Sequence, residues 1–170
     1  MDILTGWVDS DFAADSDTRR SITGYIMSNN GSPIGWRSCW QEAVTLRFSS
    51  SEAVYVAASA VAQENPNLRA LLSGFDRAPL GPTCIWEDNA ANFLMSEIPV
   101  NRNHSRHVDV KFHFLRERVR AGEIKLYKFW GPLNVADALT KGLPQPAFHK
   151  HGLFMHGTRC PYRPFANPGA

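Results

Sequence analysis

The stretch that most constrains this chain is Gly6-Trp7-Val8-Asp9-Ser10-Asp11-Phe12-Ala13, an apolar segment carrying two acids two residues apart. Trp7, Asp9 and Asp11 alternate with Val8, Ser10 and Phe12, which predicts a strand with both carboxylates on one side. Taken alone, the stretch reads equally well as an acid-rich strand end running into the polar turn Asp15-Ser16-Asp17-Thr18. Two later segments shift the balance: Ile85-Trp86-Glu87-Asp88-Asn89 and Asn134-Val135-Ala136-Asp137-Ala138-Leu139-Thr140-Lys141. Each sets an Asp at the junction of an apolar segment and an expected helix. Carboxylates gathered in one pocket repel unless cations neutralise them, so such a pocket would bind hard divalent ions, magnesium first and manganese next. Two ions about 3.5–4 Å apart stabilise the attacking and leaving oxygens of an in-line phosphoryl displacement. The chemistry implied is that of a nuclease.

The net charge of +2 over 170 residues conceals an uneven distribution. Residues 101–128 carry eight Lys or Arg against Asp109, Glu117 and Glu123, while residues 1–17 hold five acids and no base. A basic stripe beside an acidic pole suits a polyanion-binding surface next to a divalent-metal site; a solvated helix face has the same composition. There is no apolar run of about 18 residues, so no membrane span is expected. No basic-then-apolar N-terminal layout marks a secretory signal. The expected location is intracellular, in cytoplasm or nucleus. Cys39, Cys84 and Cys160 form no Cys-x-x-Cys pair, which argues against a disulfide framework or a zinc knuckle. His104, His107, His113, His149, His151 and His156 show no zinc-ligand spacing. Ser49-Ser50-Ser51 lacks the Gly-x-Ser-x-Gly elbow of a serine hydrolase and reads as a helix cap.

A chain of this length fits one domain, expected over residues 1–157, with a loosely ordered tail over 158–170. After the first strand, Ser21–Met27 predicts a second, Asn29-Asn30-Gly31 a hairpin turn, and Ile34-Gly35-Trp36 the start of a third that resumes around Ala43–Leu46. The Ala-rich segment from Glu52 predicts a buried helix that Pro66 kinks or restarts, with a short second helix ending near Gly74. Thr83–Trp86 predicts a strand, Ala90–Glu97 a helix, and residues 105–121 an amphipathic basic helix, since Val108, Phe112, Leu115 and Val119 recur at helical spacing with Arg116 and Arg120 turned elsewhere. Glu123–Trp130 predicts a strand, and Gly131-Pro132 a turn into a helix carrying Asp137. Trp36, Trp40 and Trp86 are expected in the core rather than stacked on bases. The order points to a mixed α/β sheet with helices on its faces.

These residues also carry a resemblance. Gly6–Ala13 is similar to G-Y-x-D-A-D-W-A, and Asp17-Thr18-Arg19-Arg20-Ser21-Ile22-Thr23-Gly24-Tyr25 to D-x-R-K-S-T-S-G-Y. Pro33–Ser38 with Gln41, Ser50–Ala57, Trp86–Asn89, Ser105–Phe114 and Val135–Lys141 follow in the same order. Together they resemble the ribonuclease H domain of copia-type LTR retrotransposon Pol polyproteins, over about residues 6–157.

The resemblance implies an RNase H-like fold with a five-stranded mixed sheet, three antiparallel strands followed by parallel additions. It implies hydrolysis of the RNA strand of an RNA–DNA hybrid with two magnesium ions, manganese being the substitute, held by Asp9, Asp88 and Asp137. It also implies ancestry beside a reverse transcriptase in one polyprotein, with Met1 falling where that polymerase would have ended. Arg106, Lys111, Arg116 and Arg120 are the expected contacts to hybrid or other duplex nucleic acid. The family has a helix glutamate at the second acid of its E-A-E-Y pattern, where this chain has Val54. Glu52 lies two residues earlier, about 200° around a helix from Val54, and could replace the lost acid only if the helix shifted. An apparent two-residue insertion near Arg47-Phe48 could supply that shift. The expectation is an RNase H-like domain weakened by Val54; the alternative is an inactive fold that binds nucleic acid or persists as a structural relic.

Overall fold

The structure, a computed structural model, describes residues 2–42, 50–88 and 106–157. Strands β1 (Leu4–Asp11), β2 (Ile22–Asn29) and β3 (Ser32–Trp40) are followed by helix α1 (Ser50–Gly74), β4 (Thr83–Glu87), α2 (Arg106–Arg120), β5 (Ile124–Lys128) and α3 (Gln145–Met155). Short 3-10 helices at Gly131–Leu133 and Val135–Leu139 link β5 to α3. The sheet runs β3-β2-β1-β4-β5, antiparallel between β3, β2 and β1, parallel between β1, β4 and β5. This is the mixed sheet the sequence predicts. Asn30 and Gly31 turn β2 into β3 with φ of 52° and 81°, the left-handed backbone that a two-residue hairpin requires and that Asn and Gly tolerate. The expected continuation of β3 over Ala43–Leu46, the helix over Ala90–Glu97, the insertion near Arg47 and the tail from Thr158 lie outside the described residues.

Period-two alternation divides the core. Leu4 and Val8 of β1, Tyr25 and Met27 of β2 and Ile85 of β4 face Tyr55, Ala58, Val61 and Ala62 of α1 and Phe112 and Leu115 of α2. Trp7, Ile26 and partly buried Trp86 face the other way, onto Val135, Ala136 and Phe154. The Trp7 and Phe154 rings meet edge to face, centroids 5.3 Å apart, a contact worth about 0.5–1.5 kcal/mol beyond burial. No helix among the described residues is long and apolar enough to cross a membrane.

Three local expectations are corrected. Helix α1 runs unbroken through Pro66. The helix on either side of the proline is tied down by tertiary contacts: the Thr83 hydroxyl donates to Asn65 Oδ1 at 2.6 Å, and Arg69 donates to the Gly81 carbonyl at 3.1 Å and the Pro79 carbonyl at 3.1 Å. These hold the helix across a residue that cannot donate to the preceding turn. Asp137 sits in a 3-10 helix rather than an α-helix, and an α-helix, α3, follows it. Trp36 and Trp40 are 60 % and 50 % exposed on β3, the edge strand of the sheet. Only Trp86 is packed as expected, stacked on Tyr127.

Replacing Pro66 by alanine restores a backbone donor without touching the anchors on either side. Urea unfolding of Pro66→Ala should show a gain of about 1–3 kcal/mol. A loss would mean that the fold needs the proline's geometry.

Candidate functional site

The pairing of β1 with β4 runs from Thr5↔Cys84 to Trp7↔Trp86 and stops. Beyond that point the strands part at their carboxyl ends, where sheets of this kind commonly bind ligands. Asp9, two residues past Trp7, and Asp88, two past Trp86, share the face on which the Val135–Leu139 turn is packed. The freed carbonyl of Val8 accepts a bond from Asn134 Nδ2 at 2.9 Å, and Asn134 Oδ1 accepts from the Ala136 amide at 3.1 Å, capping the turn. Asn134 therefore fixes the turn's start to β1 with both ends of one side chain. Gly24 fixes the other side: a Cβ there would stand 2.6 Å from Thr140 Cγ2 and 3.0 Å from Leu139 Cβ. The turn lies against bare backbone, which brings Asp137 over β1.

Asp9 is 3 % exposed at its side chain; its Oδ2 accepts the Thr140 hydroxyl and lies 3.2 Å from Lys141 Nζ. The same ammonium lies 3.4 Å from Asp137 Oδ1. Asp88 packs against the glycine of the Gly131-Pro132 turn, where a Cβ would come within 3.0 Å of its Oδ2. Burial pushes Asp88 above the usual carboxylate range and the charge of Asp9 adds to this, with Lys141 opposing. Asp137 is raised to about 6, by burial first and then by the charge of Asp9. Lys141 is raised as well, the two carboxylates outweighing the burial that would lower it. The three Asp residues thus feel one another, and the positive charge among them is supplied by the protein.

The helix residues are placed otherwise. On α1, Val54 shares its stripe with Ala58 and Val61, and Val61 reaches the β1 backbone at Gly6. Glu52 shares its stripe with Tyr55 and Ser59, which face α2: Tyr55 stacks on Phe112 with centroids 3.8 Å apart, and the Ser59 hydroxyl donates to the Lys111 carbonyl at 2.9 Å. Glu52 is buried.

Among the expected nucleic-acid contacts, Lys111 is half-buried and Arg120 is exposed at the end of α2, while the Arg106 side chain lies outside the described residues. Arg116 differs from expectation. It is 9 % exposed, with its guanidinium against the Tyr55 hydroxyl, whose pKa burial pushes up to about 12. Position 116 follows Phe112 by four and falls on the stripe that packs against α1.

A hard cation suits these donors in kind, since Asp9 and Asp137 already share one in the Lys141 ammonium. Among the described residues, no three acidic, His or Cys side chains are grouped closely enough to hold a metal by themselves. Asp9 and Asp137, with Asp88 alongside, are the described carboxylates that already meet one cation. Thr140, Lys141 and Asn134 had no role in the reading of the sequence; their signal was adjacency to Asp137 in Asn134–Lys141.

No protein-family model matches the sequence. The chain is 34 % identical over 158 residues to the retrovirus-related Pol polyprotein from transposon TNT 1-94 of Nicotiana tabacum, covering 91 % of this chain and 12 % of that protein. It is 30 % identical over 158 residues to the corresponding polyprotein from transposon RE1 of Arabidopsis thaliana, covering 93 % of this chain and 11 % of that one. Its fold is similar to that of RNase H1 from Halobacterium salinarum, with TM-score 0.54, 13 % identity, and coverage of 81 % of this chain and 93 % of that one. LC11-RNase H1, solved in complex with an RNA/DNA hybrid, matches with TM-score 0.54 and 12 % identity over 81 % of this chain and 93 % of that one.

Two predictions follow from the geometry. Gly24→Ala should cost about 1–3 kcal/mol in denaturant unfolding, because the added methyl must push the Val135–Leu139 turn away; an unchanged midpoint would mean the turn is not seated on Gly24. The second concerns pH. Asp137 stands above its ordinary 3.8 in the folded chain, so its favourable contribution is complete below about pH 4 and is lost as pH rises through about 6. In chelator, Asp137→Asn should gain melting temperature relative to the natural chain between those values. A difference independent of pH would contradict the raised pKa.

Proposed function

From a chain whose homologues are Pol polyproteins of copia-type plant retrotransposons and whose fold is that of RNase H, we propose a domain that acts on the RNA strand of RNA–DNA hybrids, with catalysis weakened by the valine at position 54. The observation that carries this reading is the convergence of Asp9, Asp88 and Asp137 at the carboxyl ends of β1 and β4 around a single positive charge. The complex of LC11-RNase H1 with an RNA/DNA hybrid supports the choice of substrate class.

A bound magnesium or manganese ion would polarise the scissile phosphate and lower the pKa of a bound water. Asp9 and Asp137 would hold it, with Asp88 beside them. The rest is the work of the chain. Thr140 fixes one oxygen of Asp9, Asn134 and Gly24 fix the turn that carries Asp137, and Gly131 closes over Asp88. Lys111 and Arg120 would meet phosphates on the duplex, a contact set by backbone shape and the 2′-hydroxyl rather than by base edges. Val54 faces the sheet from α1 where the family pattern has an acid, so the second ion of a two-metal mechanism lacks its helix ligand.

That same vacancy of charge favours a second reading, in which the domain binds hybrid or duplex without cutting it. Cleavage of an end-labelled RNA–DNA hybrid in magnesium, and then in manganese, separates the two. On the first reading the natural chain cuts slowly, Val54→Glu raises the rate by about 10²-fold, and Asp88→Asn abolishes cutting. Salt-sensitive binding with no cleavage by either the natural chain or Val54→Glu would favour the second. Brisk cleavage by the natural chain that Val54→Glu leaves unchanged would contradict both and point to another acid, Glu52 first.

A further inference from the structure

Lys141 stands out among the residues around the carboxylates. Its ammonium touches Asp9 Oδ2 and Asp137 Oδ1 at 3.2 and 3.4 Å, the two oxygens best placed to share a cation. Yet its side chain is 36 % exposed, against 3 % for Asp9 and 15 % for Asp137. The two acids are thus walled in while the cation between them has a route to solvent. Lysine joins its charge to the backbone through a flexible four-carbon stem. Lys141 also lies immediately after the Thr140 hydroxyl that holds Asp9, so the ammonium can leave while Asp9 stays fixed.

We infer that Lys141 is a resident counter-ion of the acidic site: it keeps the carboxylates folded together without metal, and a divalent ion binds only by displacing it. This inference rests on the reading of the site as one that takes a divalent cation. Without Lys141, Asp9 and Asp137 would face each other with no positive charge between them, at a cost that buried like charges make large. With it, metal and ammonium compete for the same two oxygens. If the ion pair is closed about nine-tenths of the time, the apparent metal affinity falls about tenfold below that of the open site. The lysine therefore lets the chain fold without metal while weakening the hold on it.

The test compares the natural chain with Lys141→Met and Lys141→Arg, measuring melting temperature in chelator and in saturating manganese chloride, and manganese affinity by titration calorimetry. The natural chain and Lys141→Arg should fold without metal and gain less melting temperature from manganese than Lys141→Met does. Lys141→Met should melt lower in chelator, recover in manganese and bind manganese about tenfold more tightly. A variant that folds only when manganese is present gives the same answer in stronger form. Manganese affinity that is unchanged or reduced in Lys141→Met would overturn the proposal. A second measurement needs no variant: the ¹⁵N ammonium signal of Lys141 in the natural chain should move to the solvent-exposed position as magnesium is added, and an unmoved signal at saturation would overturn it too. Neither readout involves nucleic acid, so a failure of hybrid cleavage leaves this result standing, and the reverse.

Discussion

Mutual repulsion among buried carboxylates, balanced by one ammonium, is the interaction on which this structure turns. Asp9, Asp88 and Asp137 come from two parallel strands and a 3-10 turn, and burial together with the charge of Asp9 raises the pKa of the latter two. Such an arrangement persists only if something holds the turn down and something offsets the charge. Asn134 and bare backbone at Gly24 do the first, by a hydrogen bond to the Val8 carbonyl and by close approach. Lys141 does the second. The β1–β4 ladder ends at Trp7↔Trp86, which leaves both the Val8 carbonyl and the space for the acids. Site and fold thus share one cause, the parting of two parallel strands.

Much of this was legible from residue patterns. Alternation around Asp9 identified a strand with its carboxylates on one side, Asn30-Gly31 named the hairpin turn between the next two strands, and the three Asp residues were found at the ends of apolar segments, where the structure brings them together. What was not legible depends on contacts distant in sequence. Pro66 reads as a break until Thr83 and Arg69 are seen holding the helix on either side of it. Arg116 reads as a surface cation until α2 is packed against Tyr55. Trp36 and Trp40 read as core because their residue type is usually buried; they stand exposed on β3, whose place at the sheet edge is a matter of strand order that local sequence does not encode. Lys141 was in plain view beside Asp137, but its meaning required knowing that Asp9 lies within reach.

Helix α1 carries the question of activity. Its sheet-facing stripe holds Val54, Ala58 and Val61, and its α2-facing stripe holds Glu52, Tyr55 and Ser59. Moving Glu52 to the site would require rotating the helix by roughly half a turn, which would break the Tyr55–Phe112 stack and the Ser59 bond to Lys111. Those contacts therefore commit the helix to presenting a valine toward the sheet. On this account the domain has kept the fold and the cluster of acids while losing the ligand that separates one-ion from two-ion chemistry.

The most direct test of that account is to count metal ions. Anomalous diffraction from crystals of the natural chain soaked in manganese chloride should give one peak, between Asp9 and Asp137, with the Lys141 ammonium moved aside. Two peaks about 4 Å apart, with Glu52 coordinating the second, would contradict it and would mean that α1 rotates when metal binds.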